Sequence, residues 1–204
     1  FESKEKLIDL GLNQLTKITI EQPGEEMLVL QKKEKIWRLS HSFDFPVDQE
    51  KLKTFTNKIF NAPLSWPAGK TMIAAKELQV TDENFERRIK FYKNEQPIHT
   101  LYLGATPGFR KVYARVDTQE LTYSIEFPTY EANIRNSHWL DKGFYRLDRD
   151  QVDKIELGLV TFINDANNFR LSDLGENENM NSSELNKLVS QMLDIPFEEV
   201  LGIE

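Results

Sequence analysis

Residues 104–117, "GATPGFRKVYARVD", contain two glycines, a proline and three basic residues, and the structure they form decides the class of fold. A phosphate-binding P-loop needs the spacing GxxxxGK[ST] with a helix directly after it. Here only three residues separate Gly104 from Gly108, and the residues that follow alternate in the manner of a strand. The stretch therefore predicts a β-hairpin, in which Pro107 precedes a positive φ at Gly108.

The segments on either side extend this hairpin to four strands. Each segment alternates in the same way, and short polar connections separate them: residues 85–92, 98–103, 109–116 and 121–127. Short connections make consecutive strands antiparallel. The centre of the chain is therefore predicted to be a four-stranded antiparallel meander.

The two ends of the chain resemble each other. Three matched pairs occur in the same order and at a nearly constant offset: "QLTKITI" (14–20) with "QVDKIEL" (151–157), "WRLS" (37–40) with "FRLS" (169–172), and "DQEKLKTFTNKIFNAP" (48–63) with "NSSELNKLVSQMLDIP" (181–196). This order indicates an internal repeat. Each copy reads as strands followed by a helix, with Asp48 and Asn181 at the N-cap positions.

These segments predict an α+β class with antiparallel sheets, in which two repeated strand-strand-strand-helix units flank the meander. The expected boundaries are 1–66 for the first β-β-β-α unit, 67–147 for the meander unit and 148–204 for a second, shorter β-β-α unit. The three units could also form one compact domain. Pairing of the repeats with each other, or packing of each on the meander, is not decided by the pattern.

The third meander strand holds the candidate binding residues. Alternation puts an aromatic and basic set on one side of the strand, and with the neighbouring arginine the ligand- or partner-binding candidates are Phe109, Arg110, Lys111, Tyr113 and Arg115. Basic residues of the first meander strand could extend this surface: Arg87, Arg88 and Lys90. The strip could bind an acidic or carbohydrate partner. Alternatively, it is a solvated face where basic stems cover apolar surface.

No arrangement typical of catalysis is found. There are no cysteines, the three histidines (His41, His99 and His138) lack metal-site spacing, and no GxSxG element is present. Carboxylate pairs such as Asp148 with Asp150 are typical of exposed turns. We therefore predict a protein that is not an enzyme and binds neither metal nor cofactor. Trp139 is expected to be a packing residue.

Net charge and hydropathy limit the classes of partner that the chain could bind. The chain has 26 basic and 33 acidic residues, a formal charge of −7, which argues against electrostatic binding of nucleic acid. The longest apolar runs are too short to cross a bilayer. The first residue is Phe1 rather than methionine, so a processed fragment is expected, from which an N-terminal signal or anchor has been removed.

Several stretches together resemble a bacterial family catalogued as domain of unknown function 4340: "ENFERRIKF", "LYLGATPGFRKVYARVD", "TYSIEF" and "HWLDK". The resemblance covers most of residues 12–157, and "LGATPGFRKVYAR" is its most specific part. It implies an N-terminal membrane helix, an extracytoplasmic (periplasmic) body and a link to gliding-motility-type ABC transporter components. The family has no established activity or catalytic residues to carry over.

Three functions remain open from the sequence. The first is a non-catalytic, membrane-tethered accessory domain that acts by protein contact in a transporter-associated complex. The second is a binding module for a small or polymeric anionic or carbohydrate ligand on the meander face. The third is an enzyme with a dispersed carboxylate site. Their signatures differ: an apolar exposed surface favours the first, a groove with aromatic and arginine residues the second, and a pocket of carboxylates with perturbed pKa values the third.

Overall fold

The computed structural model describes residues 6–64, 66–174, 179–195 and 197–202. It has the predicted α+β class, and every paired strand in the described part of the chain runs antiparallel to its neighbour. The chain divides into two units, the first formed by residues 1–141 with 199–204 and the second by residues 142–198. Parts of the predicted first and third segments lie outside the described residues.

An eight-stranded sheet with the order β4-β3-β2-β1-β5-β6-β7-β8 forms the first unit. The pairing of β1 with β5 joins the strands of the first predicted segment and the meander in one sheet, a long-range contact that the sequence pattern leaves undecided. The strands are β1 (Lys17–Glu21), β2 (Leu28–Lys33), β3 (Ile36–Leu39), β4 (Phe45–Pro46), β5 (Arg87–Lys93), β6 (Gln96–Leu103), β7 (Lys111–Val116) and β8 (Tyr123–Glu126).

The described residues of this unit include the α-helices α1 (Gln49–Phe60), α2 (Met72–Glu77) and α3 (Asn136–Trp139). Helix α1 begins where predicted, because the Asp48 side chain accepts a hydrogen bond from the Lys51 N–H at 3.0 Å. Its buried face repeats at helical spacing: Leu52, Phe55, Thr56, Ile59 and Phe60. This apolar stripe explains why α1 packs on the sheet instead of standing in water.

Aromatic rings join α1 to one face of the sheet and to α3. Phe60 contacts Phe91 of β5 edge-to-face, with ring centroids 5.2 Å apart, and Phe55 contacts Trp139 at 5.0 Å. Trp139 is fully buried, as expected, and its Nε1–H donates to the Asn133 carbonyl at 2.7 Å. Burial of each such side chain contributes about 1.5–3 kcal/mol, so this layer supplies much of the core.

The hairpin between β6 and β7 is confirmed, but the predicted turn conformation is wrong. A positive φ occurs at Arg110 (56°) and not at Gly108. The position in this loop that requires glycine is 104. A Cβ on Gly104 would lie 2.5 Å from the Gln79 carbonyl oxygen and nearer still to that of Leu78. Gly104 is therefore required by the close approach of another backbone segment.

The second unit contains a three-stranded sheet with the order β11-β10-β9 and one helix. Its elements are β9 (Lys154–Leu157), β10 (Val160–Asp165), β11 (Asn168–Leu171) and α4 (Ser182–Leu193). Three strands precede the helix. Asn181 caps α4 as predicted, accepting from the backbone of Ser183 and Glu184. The core consists of Phe162, Phe169, Leu185, Val189 and Leu193. The internal repeat itself stays a prediction.

Candidate functional site

The predicted binding strip on β7 lies on the sheet face opposite α1. Val112 and Ala114 are fully buried, so the alternate residues Lys111, Tyr113 and Arg115 face the other way. Their exposure falls along the strand, from an exposed Lys111 through a half-buried Tyr113 to a buried Arg115. The cause is residues 72–80, which pack on this end of β7 through Ala75 and Val80.

Arg115 is only 6% exposed, and its guanidinium binds the protein's own backbone. Its Nε donates to the Val80 carbonyl at 2.7 Å, and a terminal nitrogen donates to the Gln119 carbonyl at 3.1 Å. The guanidinium also lies 4.9 Å from the centre of the Tyr102 ring. These contacts make Arg115 a structural link between β7 and the segment after α2.

Phe109, Arg110 and Lys111 form the exposed part of the strip, at the tip of the β6–β7 loop. Phe109 is 85% exposed, and the Arg110 guanidinium lies 5.0 Å from the centre of its ring. An exposed aromatic ring stacked with an arginine is a combination that protein interfaces favour. The tip therefore offers an anchor for a partner.

The basic residues of β5 do not extend a free cationic surface from this tip. Arg88 pairs with Glu21 and, at 2.6 Å, with Asp82, while Lys90 lies 3.5 Å from Glu21. Although burial opposes its charge, the hydrogen bonds and charges of Glu21 and Asp82 raise the pKa of Arg88. Arg87 donates to the Ala132 carbonyl at 2.9 Å. These cations are occupied by intramolecular partners.

Three exposed apolar side chains that sequence reasoning missed lie at the start of α2 and in the segment before it; we call Trp66, Met72 and Ile73 the α2 surface. Trp66 is 83% and Ile73 75% exposed, values that are unusual for side chains of this size. Backbone hydrogen bonds hold the segment, since the N–H groups of Ala68 and Gly69 donate to the Thr122 carbonyl at 2.7 and 3.3 Å. The surface is thus presented from a fixed backbone.

Helix α2 explains why Met72 and Ile73 stay exposed. Thr71 caps it by accepting from the Ala74 N–H, and of its six residues only Ala75 is buried. A helix of this length presents one turn of side chains to the sheet and the rest to solvent. One feature of the sequence could have revealed this surface. The apolar residues Trp66 and Met72 lie close together in the sequence but do not belong to a helical periodicity, which a helix packed on the core would have shown.

A pocket of about 430 Å³ against α1 brings titratable groups close to the buried aromatic rings of Phe55 and Trp139. Lys58 pairs with Glu131 at 2.7 Å, and Lys51 donates to the His138 carbonyl at 2.8 Å. Burial, followed by the charge of Lys51, lowers the pKa of His138. Each charged group here already has a protein partner, and we find no nucleophile paired with a base.

The remaining histidines and carboxylates that could take part in catalysis or metal binding do not form a cluster among the described residues. Within the described residues, no three His, Asp or Glu side chains lie close enough together to hold a metal ion. Nδ1 of His41 lies 3.5 Å from a carboxylate oxygen of Glu26, a single candidate ligand beside it among the described residues. The carboxylates of Asp148 and Asp150 belong to exposed residues, as the sequence indicated. In the part of the chain that the structure describes, no helix is long and apolar enough to span a bilayer.

These features define an antiparallel α+β protein whose candidate binding residues lie on exposed surfaces. The family model described as Domain of unknown function (DUF4340) matches residues 37–204, and the chain belongs to this family. The match includes the β6–β7 loop, in agreement with the resemblance seen in the sequence. No curated protein and no solved structure matches the chain.

Proposed function

We propose that this chain is the body of a non-catalytic, extracytoplasmic accessory protein that is tethered to a membrane and acts by protein contact. The partner would be a membrane complex, with ABC transporter subunits as its expected members. The observation that carries the proposal is the exposure of Trp66, Ile73 and Phe109, each at least three-quarters accessible on the first unit. Contiguous exposed apolar patches typically mark interaction sites, and Trp66 and Ile73 lie within one short segment of the chain.

The residue types favour a protein partner over an anionic ligand. Tryptophan, arginine and other aromatic residues dominate the energetics of protein interfaces. A ligand-binding groove would need convergent cations, yet Arg115 and Arg88 already bind groups within the protein. Arg110 and Lys111 provide charge at the loop tip, where they could orient an acidic partner.

The test is co-purification of the full-length protein from its native membrane, with the double variant Trp66→Asp/Phe109→Asp. We expect transporter subunits with the unchanged protein and at least a tenfold smaller yield with the variant, because each charge would be buried at the contact. Tyr130→Ala is the matched control, since Tyr130 is a 67% exposed aromatic residue that belongs to neither the α2 surface nor the loop tip. Consistent absence of the subunits, or equal yield from the double variant, would contradict the proposal.

A further inference from the structure

We propose that the hairpin tip between β9 and β10, residues 157–160, inserts shallowly into the interface of a lipid bilayer. Leu159 is fully exposed (103%), and Leu157 and Val160 on either side are 51% and 40% exposed. They form one convex aliphatic tip on the second unit. The inference rests on the proposed membrane-proximal location, and it adds a lipid contact to the protein contact proposed above.

The turn itself does not require these side chains. Gly158 has a φ of 61° and occupies the first central position of a two-residue turn, where a II′ hairpin needs glycine. The second central position accepts ordinary residues and often holds asparagine, aspartate or serine. Leucine at position 159 therefore needs an explanation other than backbone geometry.

Each of the other two-residue hairpin turns in the described residues contains at least one polar side chain. They are Glu34–Lys35 between β2 and β3, Asn94–Glu95 between β5 and β6, and Ala166–Asn167 between β10 and β11. The last of these lies at the opposite end of β10 from the aliphatic tip. One hairpin of β10 thus ends in aliphatic residues and the other in the polar Asp165, Asn167 and Asn168, an asymmetry that matches a boundary between water and lipid.

The residues of the tip, 157–160, carry no side-chain charge. On β9, the ammonium of Lys154 lies 2.7 Å from the carboxylate of Glu156. Asp173 is exposed at the same end of the sheet, since the neighbouring Ser172 N–H donates to the Thr161 carbonyl. The tip itself is aliphatic and undirected, which suits the net-neutral surface of phosphatidylcholine better than an anionic lipid surface.

A lipid fits these residue types better than a protein pocket does. Leucine and valine are under-represented among the residues that dominate protein interfaces, whereas tryptophan and arginine are over-represented. Trp66 and Arg110 of the first unit fit the interface pattern, and the tip does not. Because the turn's backbone polar groups cannot enter hydrocarbon unpaired, insertion must stop at headgroup depth.

The experiment uses the absence of cysteine in the chain, which allows labelling at one introduced thiol. Leu159→Cys carries an environment-sensitive nitrobenzoxadiazole dye, and the chain is tethered to phosphatidylcholine vesicles through an N-terminal histidine tag on chelating lipid. We expect a two- to fivefold rise in emission, a blue shift and quenching by nitroxide lipid. Asn168→Cys, exposed at the polar end of the same sheet, is the matched control and should show none of these.

A second arm removes the effect of the dye itself. Unlabelled chain is tethered through a weaker tag, and its vesicle-bound fraction is compared with that of Leu159→Asp, after circular dichroism shows that both are folded. We expect at least a threefold lower bound fraction for the variant and no change for Asn168→Asp at the other hairpin of β10. Equal binding by Leu159→Asp, or a dye at position 159 that stays in water, would overturn the inference. Since the vesicles contain no transporter subunits, this outcome is independent of the accessory role.

Discussion

Two glycines four positions apart in the same loop have opposite structural importance. Gly104 lies against the backbone of Leu78 and Gln79, whereas a Cβ at Gly108 would meet no atom within 4 Å. We predict that Gly104→Ala destabilises the protein by about 1–3 kcal/mol, because the added carbon forces two backbone segments apart. Urea unfolding measures the change.

The matched variant for this prediction is Gly108→Ala. Its φ is not in the left-handed region, and alanine reduces the freedom of the unfolded chain. Its stability should therefore be unchanged or raised by up to about 1 kcal/mol. Similar losses for both variants would show that the loop lacks the close contact at Gly104.

The arginines at positions 110 and 115 also differ in their importance for stability. Replacement of Arg115 by methionine removes its hydrogen bonds to Val80 and Gln119, so the buried Val80 carbonyl loses a charged donor. We predict a loss of about 2–3 kcal/mol in the free energy of unfolding, since hydrogen bonds of charged donors are among the strongest. Thermal and urea unfolding both report it.

The exposed residues Arg110 and Lys111 are expected to contribute little to stability, in contrast to Arg115. Arg110→Ala combined with Lys111→Ala should change the unfolding free energy by no more than about 0.5 kcal/mol, as expected for surface substitutions. A large loss of thermal stability in this double variant would refute the assignment of both residues to the surface.

Among the helices, α1 depends on a single cap. Asp48→Ala removes the acceptor for the Lys51 N–H, so the first turn of the helix loses a charged partner. We predict a loss of about 1 kcal/mol, within the range measured for such caps. The control is Thr54→Ala at an exposed position of the same helix, which should be neutral or slightly stabilising. Equal losses would mean that the cap contributes nothing specific.

Helices and strands were predictable where one local period determined burial. The stripe of Leu52, Phe55 and Ile59 predicted α1, and the alternation around Ile18 and Ile20 predicted β1. The same reasoning could not place Arg115, because its burial depends on residues 72–80, more than thirty positions earlier. Nor could it find the α2 surface, where exposed apolar side chains follow no period. Whether a candidate site residue is exposed or buried therefore depends on contacts with residues that are distant in the sequence.

The two units have separate cores, and this separation can be measured. Every buried residue of the second core comes from residues 142–198, with Phe169 packed among Phe162, Leu185 and Val189. We predict that Phe169→Ala costs about 3–5 kcal/mol, a large part of what so small a unit can supply. Hydrogen exchange should then show lost protection in β10 and α4, while amides of β5 and β6 in the eight-stranded sheet keep theirs, because local units open independently. Equal loss of protection in β5 would instead show that both units unfold as one cooperative body.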